Sequence, residues 1–283
     1  MEEKFRIAGI DIVFVMPPEY TRRDLGWLAP FVTDRVEDPH RFEVKLVDQV
    51  DAPQGNPVSA EPGLKIYQHG QWEHRYRSST ANCASTAYMR TALRGKEHQV
   101  QLRKDHSVWL GEKMMLEAMS LDHLAAQQDG IVLHASFVEY RGRGYVFTAP
   151  SGTGKSTQAD LWVKLRGAEL INGDRVCIRI MEEHPVAWGI PYAGSSNVSK
   201  NRKVPLAAVI CLEQAPRTNI TRLRGFQAFR RIWEGCSRNP SNGSDVTRAS
   251  GVVEKILEQV PVFLLACTPD ESAVTALEKM LRE

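Results

Sequence analysis

The stretch Ala149-Pro-Ser-Gly-Thr-Gly-Lys-Ser-Thr157 constrains the chain more than any other. It has the form G-x-x-x-x-G-K-[S/T], with Ala149 at the first glycine position. Gly152 and Gly154 lack a Cβ, so the backbone can curl until several N–H groups point inward at a phosphate, with the positive end of a following helix behind them. Lys155 adds a point charge for β- and γ-phosphates, and the Ser156 hydroxyl is placed to ligate Mg²⁺. Ser151, Gly152, Thr153, Gly154, Lys155, Ser156 and Thr157 are therefore the expected nucleotide-binding residues. Ala149 removes a flexible hinge but no N–H donor, so the cradle survives unless that position needs a positive φ.

Such a loop works only between a strand and a helix. Residues 145–148 read as a short apolar strand, residues 158–166 as a helix, and Gly167 as its stop. Without that context the same Gly/Ser/Thr cluster would be a turn.

Two further residues are drawn to the loop. Residues 131–140 and 145–148 are apolar runs separated by Arg141-Gly-Arg-Gly144, a hairpin turn. Counting outward from that turn puts His134 opposite about Pro150, at the mouth of the loop. After the helix, residues 169–171 read as a strand, and a strand–helix–strand crossover makes it parallel to the one entering the loop. Asn172-Gly-Asp174 then emerges on the same sheet edge, where a carboxylate would complete a Mg²⁺ shell. The competing readings are a satisfied core histidine at 134 and a turn aspartate at 174. The candidate catalytic residues are His134, Lys155 and Asp174, and the candidate metal ligands are Ser156 and Asp174.

At 283 residues the chain has room for two cores, and 42% hydrophobic with 25% charged residues is a globular balance. A net charge of +2 argues against a dedicated nucleic-acid binder. Five cysteines without C-x-x-C spacing suggest neither a disulfide framework nor a zinc module. Met1-Glu-Glu-Lys4 opens without a signal-peptide pattern and no apolar run has membrane-spanning length, so no membrane partner and a cytoplasmic location are expected.

Residues 1–104 read as a β-rich domain, with strands over 5–15, 42–47, 63–67, 72–76 and 88–93 and a short helix at 25–32. His69 and His74 flank a turn at Gly70 and read as surface residues. Residues 105–129 read as a connecting helix whose methionines pack a core, and residues 130–283 alternate strands and helices as a nucleotide domain. Lys200, Arg202 and Lys203 read as a solvated basic loop, or else as a lid over phosphates.

With His134, the loop, Arg166-Gly167 and Asn172-Gly-Asp-Arg-Val176 in view, residues 131–180 resemble the HPr kinase/phosphorylase family, and the loop text is similar to that of ATP-dependent phosphoenolpyruvate carboxykinases. The resemblance implies an α/β fold: a P-loop nucleotide-binding domain of that type, preceded by the smaller β-rich domain. It implies a kinase that uses ATP and Mg²⁺ to phosphorylate a hydroxyl, on Ser or Thr of a small protein or peptide or on a small molecule. The alternative is a nucleotide-binding regulatory module without efficient transfer. Homo-oligomerisation is left open. Three positions depart from the family pattern: Ala149 for its first glycine, Thr157 for a Glu, and Gly173 for the first aspartate of an acidic pair to which proton transfer is assigned.

Overall fold

A computed structural model describes residues 1–22, 24–78 and 84–281; Cys83 lies outside the described residues. The protein is mixed α/β with two large sheets, and it divides into two compact units, Met1–Ser120 and Leu121–Glu283. Among the described residues no helix is long and apolar enough to cross a membrane.

The first unit is one eight-stranded sheet: β1 (Glu2–Ile7), β2 (Ile10–Val15), β3 (His40–Val47), β4 (Ser59–Glu61), β5 (Leu64–His69), β6 (Trp72–Ser78), β7 (Ser85–Ala92) and β8 (Glu97–Arg103). Their order is β1-β2-β3-β8-β7-β6-β5-β4. The run 5–15 expected as one strand is a hairpin, because Ala8 and Gly9 both take positive φ, 51° and 75°, as a two-residue turn between right-twisted strands requires. The helix expected near 25–32 is a 3-10 helix, Gly26–Phe31. Of the two histidines expected at the surface, His69 is exposed and His74 is half-buried: its Nδ1 lies 2.9 Å from the Tyr88 hydroxyl and its ring stacks on Tyr88.

The single helix expected over 105–129 is three pieces: a 3-10 helix Lys104–Trp109, α1 (Glu112–Met119) and α2 (Leu121–Ala126). Ser120, left-handed at φ 45°, separates the last two. Helical periodicity reports which side chains are buried, and Met114, Met115 and Met119 are, but it does not register a single reversed residue.

The second unit contains β9 (Gly130–Tyr140), β10 (Arg143–Thr148), α3 (Lys155–Arg166), β11 (Glu169–Asn172), β12 (Arg175–Met181), β13 (His184–Gly189), β14 (Lys203–Gln214), β15 (Asn219–Leu223), α4 (Gly225–Gly235), β16 (Cys236–Ser237), α5 (Gly243–Gln259), β17 (Val262–Cys267) and α6 (Glu271–Met280). Two long strands, β9 and β14, each pair with strands of both halves of the sheet, so pairing closes through β10, β9, β12, β13 and β14 back to β10. Strands β10, β14 and β17 are parallel, which brings their carboxyl ends to one edge.

Helix α3 forms where the loop ends and stops at Gly167, whose φ of 66° turns its N–H back onto the last carbonyls. Its buried face carries Ala159 and Trp162, the latter fully buried and stacked on Tyr145 at 5.6 Å. An indole of this kind removes roughly 150–250 Å² from water, about 4–6 kcal/mol of burial. That packing anchors the helix whose first turn carries Lys155.

Candidate functional site

The loop between β10 and α3 is shaped by its glycines. Gly152 (φ 78°) and Gly154 (φ 112°) occupy the left-handed region, where a Cβ is strained, whereas Ala149 does not. The alanine at the first glycine position is therefore accommodated without backbone cost. Gly154 caps α3, and the first helical bond runs from Gln158 N to Gly154 O at 2.9 Å. Lys155 is buried, and its Nζ donates to the carbonyls of Ala149 (2.9 Å) and Pro150 (3.2 Å). Burial lowers the pKa of its ammonium, and the Asp174 carboxylate opposes that shift. Ser151, Gly152, Ser156 and Thr157 are exposed, and Thr153 is half-buried.

The β9–β10 hairpin pairs Thr148 with Ala135, so His134 stands opposite Ala149, one residue from the expected position. Thr148 Oγ1 donates to His134 O at 3.0 Å, closing the end of the ladder. On its other side β9 pairs with β12, which sets Arg175 opposite His134.

Asp174 reaches this edge by a route the crossover argument does not contain. Strands β10 and β11 are both antiparallel to β9, hence parallel to each other, but β9 lies between them. The turn after β11 is held by Asn172, which is fully buried. Its Oδ1 accepts from Asp174 N and Arg175 N, both at 3.0 Å, and its Nδ2 donates to Ile190 O. Ala135 N donates to Asp174 O at 2.9 Å. These contacts present the Asp174 carboxylate to the site: Oδ1 is 3.5 Å from His134 Nδ1, and Oδ2 is 3.4 Å from Arg175 Nε. Asn172 is the site residue that sequence reasoning missed; its signal was the Asn-Gly-Asp turn, which side-chain-to-backbone bonding favours.

His134 carries a lowered pKa. Burial disfavours the imidazolium, the Lys155 charge adds to the effect, and Asp174 opposes it. The imidazole is thus held neutral and able to accept a proton near neutral pH.

A second segment closes on the turn from outside. Residues Gly194–Ser196 form a 3-10 turn, and Gly194 (φ 57°) passes so close that a Cβ there would stand 2.7 Å from Asp174 Cβ. A Cβ on Gly173 would collide with Ser196 Oγ and Cβ. Ser196 Oγ is itself engaged, donating to Ala193 O at 2.7 Å and accepting from Val198 N at 3.2 Å. The volume a side chain at 173 would need is filled by Ser196.

The three basic residues beyond it are tied to the fold. Lys200 pairs with Glu169 at 2.7 Å, Arg202 makes two bonds to Glu139, and Lys203 lies over the Trp188 ring.

Beside the second half of the loop, a cleft of about 510 Å³ runs along Gly152, Gly154 and Thr157 to Gln214, Pro216 and Thr268. Gln158 also lines it, and its buried Nε2 has no hydrogen-bond partner among the described residues. Among the described residues no group of three or more His, Cys, Asp or Glu side chains is gathered to hold a metal. A cation held with a phosphate at the loop, rather than in this cleft, would rest on the Ser156 hydroxyl and the Asp174 carboxylate together with ligand oxygens, a donor set that suits Mg²⁺.

No family model matches the sequence, and no curated protein matches it. Among solved structures the chain is similar to the Hpr(Ser) kinase/phosphatase from Coxiella burnetii, at 14% identity and a TM-score of 0.33, over 53% of this chain and 88% of that one. At that TM-score the likeness is too loose to assign either fold or activity, and the site stands on its own residues.

Proposed function

We propose that the second unit is a Mg·ATP-dependent kinase that moves the γ-phosphoryl group to a hydroxyl. The observation that carries this reading is the convergence of Lys155, His134 and Asp174 on one sheet edge, with the His134 and Asp174 side chains 3.5 Å apart. The loop amides and the start of α3 receive the phosphates, and Lys155 neutralises charge on the β- and γ-groups. Mg²⁺, when bound by Ser156 and Asp174, supplies further neutralisation of the phosphates. The bond from γ-phosphorus to its bridging oxygen breaks, and its electron pair leaves with ADP. The acceptor oxygen forms the new bond, and its proton passes to His134 Nε2, whose Nδ1 side faces Asp174. Phosphoryl transfer depends chiefly on alignment and charge, so a lone Asp174 suffices where the resembled family has an acidic pair.

Titration calorimetry with Mg·ATP, followed by transfer of labelled γ-phosphate to components of a cell extract, tests the reading. Tight binding with labelled product supports it; absence of nucleotide binding overturns it. A second reading, a module that holds nucleotide without transferring phosphate, is favoured by Ser196 standing where a side chain at 173 would be. Binding without any labelled product would select it.

A further inference from the structure

The loop has a cavity on each side, and Lys155 indicates which end of a triphosphate each would meet. The lysine of such a loop reaches the β- and γ-phosphates. Here its Nζ is hydrogen-bonded to the carbonyls of Ala149 and Pro150, so the γ-end lies at the first residues of the loop. The 510 Å³ cleft lines the opposite end, at Gly154 and Thr157. At the γ-end is a smaller cavity of about 230 Å³, bounded by His134, Pro150, Cys211, Leu212, Arg231 and Glu234.

Its walls indicate what it can receive. Pro150, Leu212 and Cys211 are apolar; burial pushes the Cys211 thiol up to about 12, so it enters as a neutral surface. The two charges at the rim are already matched: Arg231 donates to Glu213 at 2.6 Å, and Glu234 pairs with Arg230 at 3.5 Å. A charged ligand group would have to break one of these pairs and lose its own water. The end of α4 already lies tight against the sheet, since a Cβ on Gly235 would meet Thr148 Oγ1 at 2.8 Å and Leu133 Cδ1 at 2.9 Å.

We propose, on the kinase reading above, that this α4-side cavity is the acceptor subsite and takes an uncharged primary hydroxyl on an arm no larger than an amino-acid side chain. A seryl side chain in a flexible peptide and a small free polyol share that chemistry. The hydroxyl enters beside His134, which takes its proton as the phosphorus–oxygen bond forms.

The test measures ADP release from Mg·ATP with four probes: N-acetylserine methylamide, glycerol, the anionic N-acetylserine and the cationic serine methyl ester. The two neutral alcohols are expected to raise ADP release at least tenfold more than either charged probe. Stimulation by the amide alone assigns the source to peptide, and by glycerol alone to a free polyol. Glu234→Trp, a change at an exposed helix position that closes the mouth of the cavity, is expected to abolish this stimulation while Mg·ATP binds within twofold of the parent by calorimetry. Preference for a charged probe, or full stimulation in E234W, overturns the assignment, as does nucleotide binding with no response to any probe. Failure of the parent protein to bind Mg·ATP sinks the underlying kinase reading instead, which keeps the two failures distinct.

Discussion

Replacing Gly173 by Asp restores the carboxylate that the resembled family carries, and the site as built rejects it. The new Cβ collides with Ser196 Oγ and Cβ, so Ser196 must move. Moving it breaks its bonds to Ala193 O and from Val198 N. Two such bonds contribute about 1–3 kcal/mol together, and the remaining overpacking costs about 1–3 kcal/mol more. Lower entropy of the unfolded chain returns up to about 1 kcal/mol. Gly173→Asp is therefore expected to destabilise the second unit by about 1–6 kcal/mol. Ser196→Gly alone forfeits the same two bonds, about 1–3 kcal/mol, but removes both colliding atoms. The double variant should then be little worse than Ser196→Gly, a favourable coupling of at least about 1 kcal/mol between neighbours. Urea titrations read by hydrogen exchange on peptides from β9 to β11 separate this unit from the first. Gly173→Asp within about 0.5 kcal/mol of the parent, or strictly additive effects of the two changes, would refute the packing argument. The same double variant bears on chemistry: a large gain in ADP formation over Ser196→Gly identifies the natural site as a reduced one, whereas no gain shows that a lone Asp174 already serves.

Lys155→Met keeps the apolar stem and loses the charge, so Mg·ATP affinity should fall roughly ten- to hundredfold by calorimetry, the worth of one charged hydrogen bond to phosphate, with the fold retained. Because the Lys155 charge helps depress His134, the same variant should raise the His134 pKa in an NMR titration; an unchanged value would separate the two groups. Protonation of His134 removes the proposed base, so the rate should fall only as pH drops below the ordinary histidine range near ~6.5, and His134→Gln should abolish that acid limb with roughly a 10²–10⁴-fold loss. Ala149→Gly should leave nucleotide affinity within about twofold, since Ala149 has no positive φ to relieve, and lower stability by about 0.4–1 kcal/mol through the unfolded chain.

Local chemistry made much of the site legible in advance. The loop's glycines, its flanking strand and helix, and the hairpin count that set His134 opposite about Pro150, one residue from its place opposite Ala149, all rest on contacts between near neighbours in sequence. What stayed hidden depends on distant partners. The insertion of β9 between β10 and β11 cannot be read from a strand–helix–strand pattern, because that pattern fixes direction and not adjacency. Ser196 gives no sign of occupying the space beside Gly173, 23 positions away, until the chain has folded back. In the first unit β8 is absent from the expected strands although Gln99 and Gln101 alternate with the buried Val100 and Leu102, the period of a half-buried strand.

The closed circuit of ladders has a temporal consequence during translation. When residues through α3 and β12 have left the ribosome, β10 has one neighbour, β9, and an open flank whose eventual occupant, residues 206–211 of β14, has not been made. Until it arrives, the strand leading into the loop offers unpaired backbone groups to any other chain. A ribosome pausing within this interval would therefore hold a nascent chain prone to mispairing, and release beyond Gln214 would end that hazard.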